Sequence, residues 1–249
     1  MAKKDTAATT PDSEARDDVL GNENTAVAPR NAAPFALGKV TGDVPTQPRL
    51  PRLKVTHGVG GLAEAGFSPG EWVLNDEASL AKRGEPLTLI ILSADQYYKE
   101  YDSYNSGGTP RSFNSAEEVL TAGETVEWSG PQGAKVAPTF SPAMNANLFI
   151  RRPEGIVDGA FGVQIGEHEY APAVYTADKQ AFTPFSAPIT TASGFSLRER
   201  GLHSGVFELR SASKKLRSGN SVTVPTLRLV GHLSDEELAG VESYFESGN

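Results

Sequence analysis

The pattern of apolar and polar positions predicts a chain that is mainly β. Leu53 and Val55 alternate with charged or polar neighbours, which indicates a strand with one buried face. The longest apolar run, residues 86–92, is too short for a helix and predicts a buried strand. From about residue 124 to 230, proline and glycine separate short apolar segments at intervals typical of barrels and sandwiches. The candidate strands there are residues 125–128, 147–151, 160–165, 170–175, 205–210 and 222–230.

Two capping boxes predict helices. Residues 115–120 begin with one and predict a short internal helix, which Gly123 is placed to end. Residues 234–245 begin with the second and predict a C-terminal amphipathic helix, because apolar side chains recur there at helical spacing. Residues 95–104 contain four tyrosines and fit either a continued strand or one or two helical turns.

The composition divides the chain into three segments. Residues 1–48 are rich in Ala, Thr, Asn, Asp and Pro and predict a disordered tail, because they cannot bury enough apolar surface to offset the entropy of ordering. Residues 49–230 are expected to form one β-rich domain, and residues 231–249 an acidic C-terminal helix or tail. No apolar run approaches the roughly 18 residues of a membrane-spanning helix, and the first residues lead into polar ones. We therefore expect a cytoplasmic protein, in the host cytoplasm if it is viral.

The charge of the chain is unevenly distributed. The 249 residues carry a net charge of −8, yet residues 140–230 contain ten Lys and Arg against seven Asp and Glu. The last nineteen residues contain five Asp and Glu and no basic residue. Such an acidic segment can occupy a basic groove until a polyanion displaces it, or it can simply be a solvated helix. In the first interpretation, the competing acids are Asp235, Glu236, Glu237 and Glu242.

The residues with catalytic potential give little support to an enzyme. Cysteine is absent, which removes disulfides, thiolate metal sites and cysteine nucleophiles. The chain has no Gly-x-x-x-x-Gly-Lys-Ser/Thr phosphate loop and no His-Glu-x-x-His motif. A metal site would need assembly from distant residues, and a hydrolase would need His168 or His203 to meet a carboxylate across the fold. We predict no enzymatic activity, no cofactor and no metal.

Aromatic residues interleaved with basic ones point instead to single-stranded nucleic acid. Bases stack on aromatic rings, at about 1–3 kcal/mol per base, while Lys and Arg follow the phosphates. The tyrosine segment, which includes Lys99, has this interleaving. The alternative is that the aromatic residues fill the core and the basic ones are merely exposed. The candidate binding residues are Tyr97, Tyr98, Tyr101, Phe149, Arg151, Arg152, Tyr175, Lys179, Arg210, Lys214, Lys215 and Arg217.

Several segments resemble phage single-stranded DNA-binding proteins of the oligonucleotide/oligosaccharide-binding (OB) type. The segments that carry the resemblance are residues 50–55, 67–74, 170–182, 207–209 and 224–225. The resemblance implies an OB-like Greek-key barrel with insertions, which would bind single-stranded DNA during phage-type replication or recombination. It also implies that the acidic C-terminal segment contacts replication proteins. The chain departs from the family at its end, where Gly248 and Asn249 follow the last aromatic residue.

Two other classes of function stay open at this point. A virion structural or assembly protein would use the N-terminal segment as an arm around a neighbour, and its β-domain would be a sandwich. A small hydrolase would depend on one of the two histidines named above. The sequence determines neither the oligomeric state nor the preferred DNA sequence.

Overall fold

The computed structural model describes residues 50–101, 109–131, 134–216 and 219–246. The predicted tail, residues 1–48, lies outside these ranges, as does the candidate binding residue Arg217. Among the described residues, every helix falls short of the length and apolar character that crossing a bilayer requires.

Strands dominate the described residues, so the prediction of a mainly β chain is confirmed. The strands are β1 (Arg52–Val55), β2 (Trp72–Leu74), β3 (Ala78–Ala81), β4 (Leu87–Glu100), β5 (Ser112–Phe113), β6 (Phe140–Arg151), β7 (Val163–Ile165), β8 (His168–Asp178), β9 (Gly205–Lys215) and β10 (Ser221–His232). The helices are α1 (Gly61–Glu64), α2 (Ala116–Thr121), α3 (Lys179–Gly194) and α4 (Asp235–Glu246), and Leu202–Ser204 forms a 3-10 turn.

The strands form one sheet that curls into a half-barrel. Its order is β10-β9-β4-β6-β8-β1-β2-β3, with β5 paired to β4 and β7 paired to β8. Of the strand pairs in the described residues, β1 and β8 run parallel, and the others are antiparallel. The long strands β4, β6 and β8 lie side by side at the centre and therefore carry the core.

The centre of the sheet is buried on both faces. On one face, Leu89 and Leu148 belong to the same core cluster as Phe185 of α3, and we call this the α3 face. On the other, Phe149 packs in a second cluster with Val241 of α4, and we call this the α4 face. Burial on both sides explains why the start of β4 is a continuous apolar run rather than an alternating one. The buried strand predicted at residues 86–92 is confirmed.

Helix α3 corrects the expectation that residues 124–230 contain only strands and turns. It spans sixteen residues and includes Pro184 and Pro188. Proline removes a backbone donor inside a helix and normally interrupts it, so the two prolines concealed the pattern. The helical signal was nonetheless present, because Phe185, Ile189 and Ala192 are buried at a spacing of four and then three residues. The candidate strand at residues 125–128 is also wrong, since that segment is a loop.

Both predicted capping boxes are confirmed. The Ser115 hydroxyl accepts a hydrogen bond from the backbone N–H of Glu118 at 3.2 Å, and Gly123 follows α2 with a φ of 79°. At α4, the Glu237 carboxylate accepts hydrogen bonds from the backbone N–H and the hydroxyl of Ser234, at 2.9 and 3.0 Å. Each cap satisfies backbone donors that the first turn of a helix leaves unpaired.

Removal of the first cap tests its contribution to stability. We expect Ser115→Ala to lower the free energy of unfolding by about 1 kcal/mol, because the helix loses its side-chain acceptor. Urea unfolding followed by circular dichroism measures the change. Thr121→Ala, at the last residue of the same helix, is the control and is expected not to lower stability, because alanine favours helix. Equal destabilisation by the two variants would contradict the capping role.

Candidate nucleic-acid interface

A bulge in β4 decides which tyrosines share a face of the sheet. Ile90 pairs with Phe149 and Tyr97 pairs with Ala143, and β4 is irregular between these two positions. Phe149 and Ala143 are six residues apart in β6 and share a face, whereas Ile90 and Tyr97 are seven apart and would not do so in a regular strand. The extra residue therefore turns Tyr97 to the α4 face. Tyr98, which pairs with Phe113 of β5, takes the opposite face. The predicted set of tyrosines is therefore divided between the two faces of the sheet.

Tyr101 lies between an indole and an ammonium group at the end of β4. Its ring centroid is 5.7 Å from that of Trp128, with an edge-to-face angle of 84°. On the same ring, the Lys179 Nζ lies 4.9 Å from the centroid, within the range of a cation–π contact. Trp128 is 53% exposed, so a flat aromatic surface reaches solvent beside a lysine.

An ion pair between β4 and β8 influences Tyr97. The Lys99 Nζ donates to the Asp178 carboxylate at 3.0 Å, and Asp178 directly precedes Lys179. Burial raises the pKa of Tyr97; Lys99 lowers it and Asp178 raises it, while Arg52 lowers it further. A tyrosine whose pKa is raised stays protonated at neutral pH and keeps a hydroxyl donor. We call Tyr97, Lys99, Tyr101, Trp128 and Lys179 the aromatic–lysine cluster.

Polar side chains continue from this cluster along the α4 face towards the centre of the sheet. The Thr176 hydroxyl donates to the Asn145 side-chain oxygen at 2.7 Å. The Asn147 amide donates to the Ser93 hydroxyl at 2.8 Å. These residues are register partners on β8, β6 and β4, so strand alternation places them all on one face. The result is a polar row between the cluster and the region covered by α4.

Two of the predicted stacking residues are wrong because they are sealed in the core. Phe149 is fully buried, and its ring centroid lies 5.0 Å from that of Tyr244 in α4. Tyr175 is buried against Trp72 and Phe185, at centroid distances of 5.5 and 4.8 Å, and burial raises the pKa of its hydroxyl. Neither ring can meet a base without opening the core.

Arg151 and Arg152 lie at the other end of β6, away from the cluster. An Arg151 guanidinium nitrogen is 2.8 Å from His168 Nδ1. Arg152 pairs with Glu169 and lies over the Phe161 ring, 5.4 Å from its centroid. These two arginines therefore lie apart from the cluster, and their part in binding stays a prediction. Strand length explains this, because β6 has twelve residues and Arg151 is its last.

The predicted basic turn at the β9–β10 hairpin is only partly assembled near the cluster. Arg210 donates to Glu208 and to the Gly84 carbonyl, both at 2.8 Å, so its guanidinium already makes contacts within the protein. The Lys214 Nζ is 3.4 Å from the Gln180 side-chain oxygen, one residue beyond Lys179 in α3. Lys214 therefore lies close to the cluster. Lys215 is exposed at the end of β9.

The predicted acidic tail is a packed part of the domain through residue 246. Val241 is fully buried in α4, which covers the Phe149 end of its sheet face. Asp235 forms an ion pair with Arg200 at 2.5 Å. Glu237 caps its own helix, Glu236 is exposed, and Glu242 lies 3.6 Å from His203. The predicted C-terminal amphipathic helix is confirmed, and its apolar residues pack against the sheet.

The geometry expected of a hydrolase is met only superficially. The His203–Glu242 pair joins the 3-10 turn to α4, and the Glu242 side chain is 57% exposed. Residues 66–70 read Gly-x-Ser-x-Gly, the spacing of a nucleophile elbow, but an elbow leads from a strand into a helix. Here the segment follows α1 and leads into β2. In the part of the chain that the structure describes, no group of three His, Asp or Glu residues is placed to hold a metal ion.

Sequence reasoning missed Trp128 and Arg52. Trp128 lay in a segment predicted as a strand, where an aromatic residue is expected to be buried. The sequence signal for its exposure was its neighbours, because a tryptophan between charged, polar and glycine residues has few apolar residues beside it to pack with. Comparison with known protein families, with curated proteins and with solved structures gave no match to this chain.

Proposed function

We propose that this protein binds single-stranded DNA and that the aromatic–lysine cluster is the centre of the binding surface. The observation that carries the proposal is Tyr101, whose ring makes an edge-to-face contact with Trp128 and has the Lys179 ammonium over it. Proteins hold single strands by stacking bases on aromatic rings and placing cations along the phosphates. The cluster combines both kinds of group at one exposed place.

Local charge supports this assignment in a protein whose net charge is negative. Lys99 and Lys179 are in the cluster, and Lys214 approaches the same end of α3. Electrostatic interactions with a nucleic acid are screened beyond about 10 Å at moderate ionic strength, so the charges nearest the cluster matter most. Lys99 is paired with the Asp178 carboxylate, so the electrostatic argument depends mainly on Lys179 and Lys214. Affinity for a single strand should fall with salt. The slope of the logarithm of the binding constant against the logarithm of the salt concentration should be about −0.7 per phosphate contacted.

The proposal includes an OB-like interpretation of the curled sheet. An OB-fold is a small, partly open barrel that binds oligonucleotides on one strand face and the adjoining loops. The half-barrel curl supports this, together with a cluster made from a strand end, a loop and the start of α3.

Tryptophan fluorescence tests the proposal directly, because the chain has two tryptophans in different environments. Trp72 is fully buried and Trp128 is half-exposed. We expect titration with oligo-dT to quench the fluorescence, because a base stacks on Trp128, and we expect the quenching to weaken as salt increases. A duplex of the same length should quench less.

The Trp128→Phe variant is the matched control for that experiment. It keeps an aromatic ring, so binding measured by anisotropy of labelled oligo-dT should persist while the quenching disappears. If the wild-type protein gives neither quenching nor an anisotropy change, the proposed function is wrong. If quenching persists in the variant, the base does not stack on Trp128.

A further inference from the structure

The parallel strands β1 and β8 separate and leave a cleft between them. The two strands are paired at two positions, where Arg52 lies opposite Val174 and Leu53 lies opposite Tyr175. Beyond these pairs β1 continues to Val55 and β8 to Asp178, without further pairing between the two strands. The gap is a cleft of about 350 Å³. This volume lies within the range of small-molecule pockets, roughly 300–1,000 Å³.

The lining of the cleft combines apolar walls with a basic rim. Leu62 of α1 and Ala181 of α3 are among the apolar residues that line it, and Gly61 lines it beside Leu62. The charged rim includes Arg52, which is exposed, and Lys54, which pairs with Asp76 at 2.6 Å. Apolar walls suit a heterocyclic ring, and a cationic rim suits the phosphates attached to it.

Backbone groups provide polar contacts inside the cleft. Where β8 leaves β1, the edge of residues 176–178 faces the gap instead of a partner strand. Strand edges present N–H and C=O groups that require partners, and a nucleobase edge can supply them.

The cleft adjoins the aromatic–lysine cluster. Asp178 lines the cleft and pairs with Lys99 of the cluster, while Arg52 is close enough to influence Tyr97. A chain that stacks on Tyr101 and Trp128 can therefore continue over Tyr97 to the cleft. We infer that the cleft takes one nucleobase of a bound single strand, with Arg52 contacting its phosphate; this inference rests on the proposed function.

Filling the cleft tests the inference. A Cβ added at Gly61 meets no atom within 4 Å, and the residue does not have a positive φ, so Gly61→Phe can place a ring at the cleft without disturbing the backbone. Gly159→Phe is the matched control, because Gly159 is equally open and does not line the cleft. We expect Gly61→Phe to weaken binding of labelled oligo-dT about tenfold and the control to leave it unchanged.

The outcomes separate the two proposals. If the wild-type protein does not bind oligo-dT, the proposed function fails. If it binds and Gly61→Phe binds equally well, the function stands and the cleft is not a base site. Should Gly61→Phe unfold, Ala181→Leu adds volume at another lining residue of the same cleft and has the same expected result.

A charge variant tests the phosphate contact. We expect Arg52→Gln to weaken oligo-dT binding several-fold and to reduce the slope of affinity against salt, while Arg198→Gln, at an exposed arginine of another region, has neither effect. If Arg52→Gln weakens binding and both cleft-filling variants bind normally, Arg52 belongs to the cluster and the cleft inference is overturned.

Discussion

A chain that ends at Gly231 should be several kcal/mol less stable than the full chain. The deletion removes α4 and the buried residues Leu233 and Val241, and it exposes Phe149 and Ile90 on the sheet. Burying one large apolar side chain contributes about 1.5–3 kcal/mol, and a domain is stable by only about 5–15 kcal/mol. Urea unfolding should show a much lower midpoint. An unchanged midpoint would mean that α4 does not hold the sheet.

A helix with fewer negative charges separates packing from acidic competition. The variant Asp235→Asn, Glu236→Gln keeps the apolar contacts of α4 and removes two exposed negative charges. Surface ion pairs such as that of Asp235 contribute about 0–1 kcal/mol, so this variant should remain nearly as stable as the full chain. If the acids of α4 compete with DNA, it should also bind oligo-dT more tightly than the wild-type protein.

Removal of both cluster rings should have the largest effect on DNA binding. Each stacked base contributes about 1–3 kcal/mol, so the double variant Tyr101→Ala, Trp128→Ala should lose about 2–6 kcal/mol of binding free energy. At about 1.4 kcal/mol per tenfold change, this is a loss of affinity of at least roughly 30-fold. Anisotropy of labelled oligo-dT measures it, because the variant lacks the fluorescent reporter.

Phe195→Ala is the matched control for the double variant. Phe195 is 81% exposed at the end of α3 and is not part of the cluster. Its removal should leave affinity unchanged, while unfolding curves check that each variant is folded. Equal affinity of the wild-type protein and the double variant would remove the cluster from the binding surface.

Local signals in the sequence located most of the elements, because their causes lie within a few residues. Ser115 and Ser234 cap helices through groups three residues away. The apolar run that ends at Leu92 indicates a buried strand by its own length and composition. Helix α3 escaped recognition because Pro184 and Pro188 oppose helix locally. Packing of its buried face against the sheet outweighs that local preference.

Local sequence patterns could not show which candidate binding residues lie close together in the fold. Tyr175 and Tyr97 are both strand tyrosines near basic residues, yet the first is sealed under α3 and the second reaches the α4 face. The difference depends on a bulge in β4 and on how α3 packs against the sheet. Neither leaves a mark in the sequence around the two tyrosines.

By itself, the sequence determined that this chain is mainly β, where its capped helices begin and where one central strand is buried, since short-range periodicity and capping chemistry decide these features. Tertiary structure alone decided that α4 is part of the core and that Tyr101, Trp128 and Lys179 meet. These contacts join residues from 27 to 95 positions apart in the chain. They depend on sheet register and on competition among apolar surfaces for burial, which only the complete fold resolves.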